Sequence, residues 1–406
     1  MASKPGAAKG GALLIASLTL AMATGATGTY SYATLSPFLL PSLGMTPGGM
    51  GLLFGGLYTV AAASSGVIGR ITDRVDPTLV VLVGSACSLV GTLLLAASFS
   101  IIGLAASALF AGLAMAASNP GSNGMIAHRI PPGSRAFATG IKQSGATGAG
   151  LYLAVVLPGL AVAVGWRWAS LAAVIIPILA VITVLIGRRS SQAAMEPEVT
   201  TDPHEPRRLT WLSWLAGYAL LLGVATGICN GFYVLYAHSL GFGVVEAGLV
   251  FAVFAVLSVI ARIVWARLSE TTWSPAQLLG AVAVIGAISA LLCLVAPAVG
   301  DWAVWFAAGM GGLSIVGWNA LGMVTIMQNV KRDAVGVSAS RMLRGFFVGL
   351  AIGPLTFGAL VEFGGYSVGW LFQFVVLLLA IGVAYFFGRS LAMHTPPGSH
   401  LPREAL

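Results

Sequence analysis

The chain has 406 residues, of which 58% are hydrophobic and only 8% charged, with a mean hydropathy of +0.94. Soluble domains carry about 25% charged residues, so this composition excludes an ordinary water-soluble fold and predicts a polytopic membrane protein. The formal charge of +8 does not mark a nucleic-acid surface, because the basic residues flank apolar runs and none interleave with aromatics in a polar domain.

Crossing a hydrocarbon layer of about 30 Å takes roughly 20 apolar residues. In chain order the apolar runs are 11–35, 48–69, 78–98, 101–127, 136–161 and 167–188, then 211–237, 245–267, 276–298, 302–328, 335–361 and 368–388. The first is too long for the core of a secretion signal and is read as a span. The expected fold is therefore all-α, with twelve transmembrane helices in two six-helix bundles, 1–187 and 211–406, the second ending in a short tail. Between them lies "RRSSQAAMEPEVTTDPHEPRRLT" (188–210), whose three prolines, four acids and four arginines read as a flexible linker. Cys87, Cys229 and Cys293 fall inside apolar runs without metal-ligand spacing, so they read as small core residues. No metal or other cofactor is expected.

Lysine and arginine set the orientation. With a cytoplasmic N-terminus, one face collects Arg70, Arg74, Arg129, Arg135, the linker arginines, Lys331, Arg332 and the basic residues of both tails. The opposite face keeps only Arg167. By the positive-inside rule both termini are cytoplasmic, and the expected location is a bacterial plasma membrane, the inner one where there are two.

Shifting the chain by about 200 residues brings the halves into correspondence. Asn119 in "AASNPGSNGMI" falls on Asn319 in "VGWNALGMVTI". Gly165-Trp166 falls on Gly365-Tyr366, and "GRITDR" (69–74) falls on "ARLSET" (266–271), with Asp73 opposite Glu270. Two repeated halves of like orientation with a site between them form a known transporter plan.

The charged turn "GRITDRVDPT" (69–78) carries the closest resemblance. Gly69, Asp73 and Arg74 match the loop pattern Gly-x-x-x-Asp-Arg of the major facilitator superfamily, while Asp76, Pro77 and Thr78 replace its trailing Gly and basic residues. "SRAFATGIKQSG" (134–145) and "GWRW" (165–168) are also similar to family segments, and the likeness spans about residues 11–390. The resemblance implies alternating access, with Asp73 docking on the start of the eleventh run (335–361) near Gly336–Arg341 while the cytoplasmic side is closed. Glu270 is the weaker counterpart, and Arg74, Arg129 and Arg341 are gating candidates. A carboxylate at a helix N-terminus contributes roughly 0.3–1 kcal/mol, or about 2 when partly buried.

Ionisable residues inside spans are functional candidates. Here they are all cations: Lys142, Arg262, Arg341 and Arg344. Lys142 and Arg341 lie near enough to an end for their side chains to snorkel outward. Cations without fixed counter-charges predict an anionic substrate. "ARIVWARLSE" places Arg262 much as transporters of oxalate, formate and other monocarboxylates place an arginine, although the first run lacks the lysine that some of them carry. Candidate substrate contacts are Arg262, Arg344 and Lys142, with Tyr30, Asn119, Asn123, Asn230, Tyr233 and Asn319 from the runs expected to line a central cavity.

The expected function is proton-coupled uptake of a small, monocarboxylate-like organic anion by a monomer in the lipid bilayer. The alternative is proton-antiport efflux of hydrophobic or drug-like compounds, which typically needs a cavity acid that is not visible here. No HExxH, GxSxG or Walker pattern occurs, so neither an enzyme nor an ATP-driven pump is expected.

Overall fold

The computed structural model describes residues 5–131, 134–190, 209–269, 273–330 and 334–393, with the backbone alone for 5–10, 136 and 188–190. The helices are α1 (Pro5–Leu43), α2 (Pro47–Thr72), α3 (Pro77–Ala96), α4 (Ile101–Arg129) and α5 (Arg135–Val164). They continue as α6 (Trp166–Gly187), α7 (Thr210–Ser239), α8 (Val244–Leu268), α9 (Pro275–Val299) and α10 (Trp302–Asn329). The final helical segment, Val335–Ala392, is broken at Gly365, where φ is 76° and ψ 176°. It therefore holds two spans, α11 (335–364) and α12 (366–392), which completes twelve among the described residues.

Local chemistry explains several helix starts. Proline opens α2, α3 and α9, where its missing N–H costs nothing. The side chains of Thr46, Asp76 and Ser274 cap the free amides behind those prolines, Ser274 in a capping box with Gln277. In the "VDPT" stretch that departs from the family pattern, Asp76 accepts from Thr78 N at 2.9 Å, and the Thr78 hydroxyl accepts from Arg129 at 2.7 Å. The replaced residues thus start α3 and tie it to the end of α4.

Two spans depart from a continuous α-helix: the sixth tightens to a 3-10 turn at Leu171–Val174, and the tenth breaks outright. The run 302–328 is not a continuous α-helix: it divides into Trp302–Ser314 and Trp318–Asn329. The Trp265 indole N–H donates to the Leu313 carbonyl at 2.7 Å, and Gly317 N turns back to Ser314 O instead. An intact helix would have paired Leu313 O with Gly317 N.

The end of the molecule bearing Arg70, Arg74, Arg129 and Arg135 is called the basic face below, and the opposite end the far face. Gly165 and Gly365, equivalent in the repeat, both turn the chain at the far face with positive φ, 85° and 76°, a conformation that costs any other L-residue energy.

The repeat extends to packing. In the first half α1 lies on α5, where a Cβ on Gly145 would collide with the Thr19 carbonyl. In the second half α7 lies on α11, where a Cβ on Gly345 would collide with Ala216. Such small residues let helix backbones approach closely where lipid provides no hydrophobic drive. Further Gly–carbonyl contacts, Gly349 on Leu220 and Gly353 on Val224, extend the α7–α11 seam.

Candidate substrate site between the two halves

The halves meet through two equivalent helix pairs at the far face. Gly51 of α2 abuts the Pro354 carbonyl of α11, and a Cβ on Gly358 would lie 2.7 Å from Pro47 O. In the mirrored pair, a Cβ on Gly248 of α8 would lie 2.5 Å from Ala154 O of α5 and 2.8 Å from Pro158. Beyond these contacts the Thr46 hydroxyl accepts from Gly49 N at 3.1 Å and donates to the Glu362 carboxylate at 2.9 Å. Glu362 thereby seats its negative charge on the amino end of α2, where the helix dipole favours it.

Toward the basic face the α2–α11 pair separates. Gly66, Gly69 and Gly336 face open space within 4 Å of an added Cβ. Asp73 and Arg74 are exposed, and the Asp73 carboxylate has no hydrogen-bond or ion-pair partner among the described residues. The expected contact of Asp73 with Gly336–Arg341 is therefore not made in this conformation. Glu270 lies outside the described residues. Arg129 is engaged with Thr78, and Arg341 is exposed and donates to Ser213 Oγ at 3.0 Å.

Between the closed and open ends the halves enclose a mixed aromatic and polar region. Tyr30 packs on Phe251 with ring centroids 5.6 Å apart, and Phe54 on Phe232 at 6.5 Å. The hydroxyls of Thr29 and Tyr58 and the amide oxygen of Asn230 are buried without a hydrogen-bond partner. Tyr58 has the Asn230 and Thr29 side chains as polar neighbours. Leaving a buried polar group unpaired costs about 1–3 kcal/mol, so a cluster of them at the junction of α1, α2 and α7 fits a polar ligand.

Two cations flank this region. Arg262 of α8 crosses the interface and donates to the Gln143 carbonyl of α5 at 3.0 Å, and it lies within electrostatic reach of Tyr30. Lys142 does not snorkel to an end, contrary to the sequence expectation, and is 0% exposed. Its ammonium donates to Ser122 Oγ at 2.9 Å and to the side-chain oxygens of Asn123 and Asn119. Three side-chain oxygens satisfy it locally, which removes the need to reach water.

The structure thus gathers Tyr30 and Arg262 at the interface and groups Lys142 with Asn119 and Asn123. Asn230 joins the unpaired midplane cluster. Tyr233 is placed elsewhere, wholly buried in the second half with its hydroxyl on Ser289 at 2.9 Å and Ala307 O at 3.3 Å. Asn319 is half-buried, and Arg344 is exposed on the face of α11 that carries Leu355. Eleven residues make close to three helical turns, so Arg344 faces the side where Leu355 meets Gly55 of α2. Sequence reasoning missed Tyr58, Glu362 and the glycine contacts. The near-200 offsets of Gly51 with Gly248 and of Pro158 with Gly358 were the available signal.

Among the described residues, twelve apolar spans in two repeated halves meet around a polar midplane, the plan of a membrane transporter. The chain belongs to the Major Facilitator Superfamily, whose model matches residues 18–344. Among solved structures it is similar to a bacterial homolog of the human lysosomal transporter Spinster. In the inward-facing, unoccupied conformation of that protein the TM-score is 0.74 at 18% identity, covering 98% of this chain and 100% of the other. It is also similar to the nucleoside transporter NupG, with a TM-score of 0.72 at 14% identity, covering 93% and 99%. No curated protein gives a significant sequence match.

Proposed function

We propose that this transporter works by alternating access and takes up a small, monocarboxylate-like organic anion together with protons. The sign of the interior charge carries the reading. Lys142 and Arg262 lie within the spans, and neither has a carboxylate partner among the described residues. An anionic ligand between the halves offsets charge that the protein leaves uncompensated. Proton coupling follows from the membrane potential: an anion entering a negative interior works against about 2.3 kcal/mol per charge per 100 mV, and a proton carried with it cancels that term.

The basic face is then cytoplasmic, as the distribution of lysine and arginine favours, in a bacterial plasma membrane with both termini inside. Closure at the far face and separation at the basic face make this an inward-facing conformation. Halves 1–187 and 211–406, joined by the 188–210 linker, rock against each other. The site lies within one chain, so a monomer suffices.

Two measurements test the reading. Purified protein should melt at higher temperature with small carboxylates, and reconstituted vesicles should accumulate them faster when a proton gradient is imposed. Stabilisation by hydrophobic cations and not by carboxylates would refute it in favour of efflux. Arg262→Gln should lower anion uptake at least tenfold, since a hydrogen bond to a charged group contributes about 1.5–3 kcal/mol. Unchanged uptake would remove Arg262 from the site.

A further inference from the structure

A lysine ammonium offers three donors and no acceptor. Lys142 spends its donors on Ser122 Oγ at 2.9 Å, Asn123 Oδ1 at 2.5 Å and Asn119 Oδ1 at 3.5 Å. The Ser122 hydroxyl donates to the Ser118 carbonyl at 2.6 Å, so toward the lysine it acts as acceptor. Gln143 Nε2 approaches the same Asn119 oxygen at 3.5 Å, again as a donor. Every group that meets the two asparagine oxygens is a donor, which fixes both amides: oxygen toward Lys142, nitrogen away from it.

Neither Asn119 Nδ2 nor Asn123 Nδ2 has a partner among the described residues, and Asn123 is exposed while Lys142 is not. The cluster abuts the interface, because the residue following Lys142 gives its carbonyl to Arg262 of the other half. Around it the two amide nitrogens and the rest of the Arg262 guanidinium are donors without a partner among the described residues, and the Gln143 side-chain oxygen is an acceptor beside them.

We propose that Lys142 is a positioning residue that turns Asn119 and Asn123 so that their amide nitrogens, with Arg262, form a donor-rich wall for the acceptor-rich end of the substrate, a carboxylate. This rests on the anion reading above and supplies its selectivity. The outward amide nitrogens and the guanidinium bond carboxylate oxygens and leave a ligand N–H that meets them facing another donor, which disfavours ligands that present one there. Lys142 acts through the asparagines and does not itself meet the ligand in this conformation.

Asn123→Asp separates the two sides of the amide. It keeps the oxygen that meets Lys142 and exchanges only the outward nitrogen for a second oxygen. In the purified full-length protein, Asn123→Asp should leave the melting temperature unchanged or raised in the native background and lower it in a Lys142→Met background. Acetate, oxalate and benzoate should bind Asn123→Asp at least tenfold more weakly than the native protein. A lower melting temperature in both backgrounds, or equal carboxylate affinity for both proteins, overturns the proposal. Should no carboxylate bind the native protein, the methyl esters of the same acids decide. Ester binding that Asn123→Asp abolishes upholds the donor wall while the anion reading fails. Ester binding insensitive to that substitution, or no binding by either class, overturns the wall.

Discussion

The far-face closure rests on backbone contacts that have little freedom to yield, which makes it a direct handle on the conformational equilibrium. A Cβ on Gly248 would sit 2.5 Å from the Ala154 carbonyl oxygen, and one on Gly358 would sit 2.7 Å from Pro47 O and 3.0 Å from the Gly51 Cα. Carbon–oxygen contacts settle at about 3.3–3.6 Å, so alanine at either position forces its helix pair apart by roughly 0.6–1.1 Å. Overpacking of this size costs about 1–3 kcal/mol. The strain falls on the conformer closed at the far face and is released when that face opens. At 1–3 kcal/mol the ratio of the two conformers shifts by about 5–150-fold. The two glycines belong to different helix pairs, so their effects should be near additive.

Pulsed electron-spin distance measurements between labels at Ser42 and Phe363, both exposed near the far face, can read the shift. Cys87 is replaced beforehand, since it is partly accessible whereas Cys229 and Cys293 are buried. The native protein should show a single short distance. Gly248→Ala and Gly358→Ala should each add a longer one, and the double variant should favour it further. An unchanged distance distribution in a variant that still folds would refute the assignment of these glycines to the closure.

Glu362→Gln keeps an acceptor for Thr46 but removes the charge over the α2 amino end. The loss of roughly 0.3–1 kcal/mol should open the far face about two- to fivefold, read with the same labels. Asp73→Asn should act in the opposite sense if Asp73, which has no partner among the described residues, latches the alternate conformer. It should shift the population about two- to thirtyfold toward the present conformation for a loss of 0.3–2 kcal/mol, read with labels at Arg70 and Ser340. Gly165→Ala and Gly365→Ala should each destabilise by about 1–3 kcal/mol, since both hold a positive-φ extended conformation that is essentially glycine-only. Similar falls in melting temperature are expected, since both residues hold positive φ at equivalent turns.

The number of spans, their repeat and the crowding of basic charge on one face were legible in the sequence because each depends on local composition. A run of about 20 apolar residues can cross only as a helix, and the offset near 200 carries from Asn119 and Asn319 to the paired turns at Gly165 and Gly365. Pro47, Pro77 and Pro275, each behind a capping side chain, mark helix starts for the same local reason. The site was only partly legible. Residue type alone marked Arg262 and Lys142 as interior cations, but whether a lysine snorkels depends on what surrounds it. The three oxygens that hold Lys142 come from α4, about 20 residues away in the chain. Tyr233 and Tyr30 look alike in sequence, yet Tyr233 is satisfied inside its own half and Tyr30 faces Phe251 of the other. The closure at the far face is a property of two helices brought within backbone contact, which no single stretch encodes. Local sequence determined what crosses the membrane and which way the turns bend; the packing of one half on the other decided which polar groups stay unpaired at the centre.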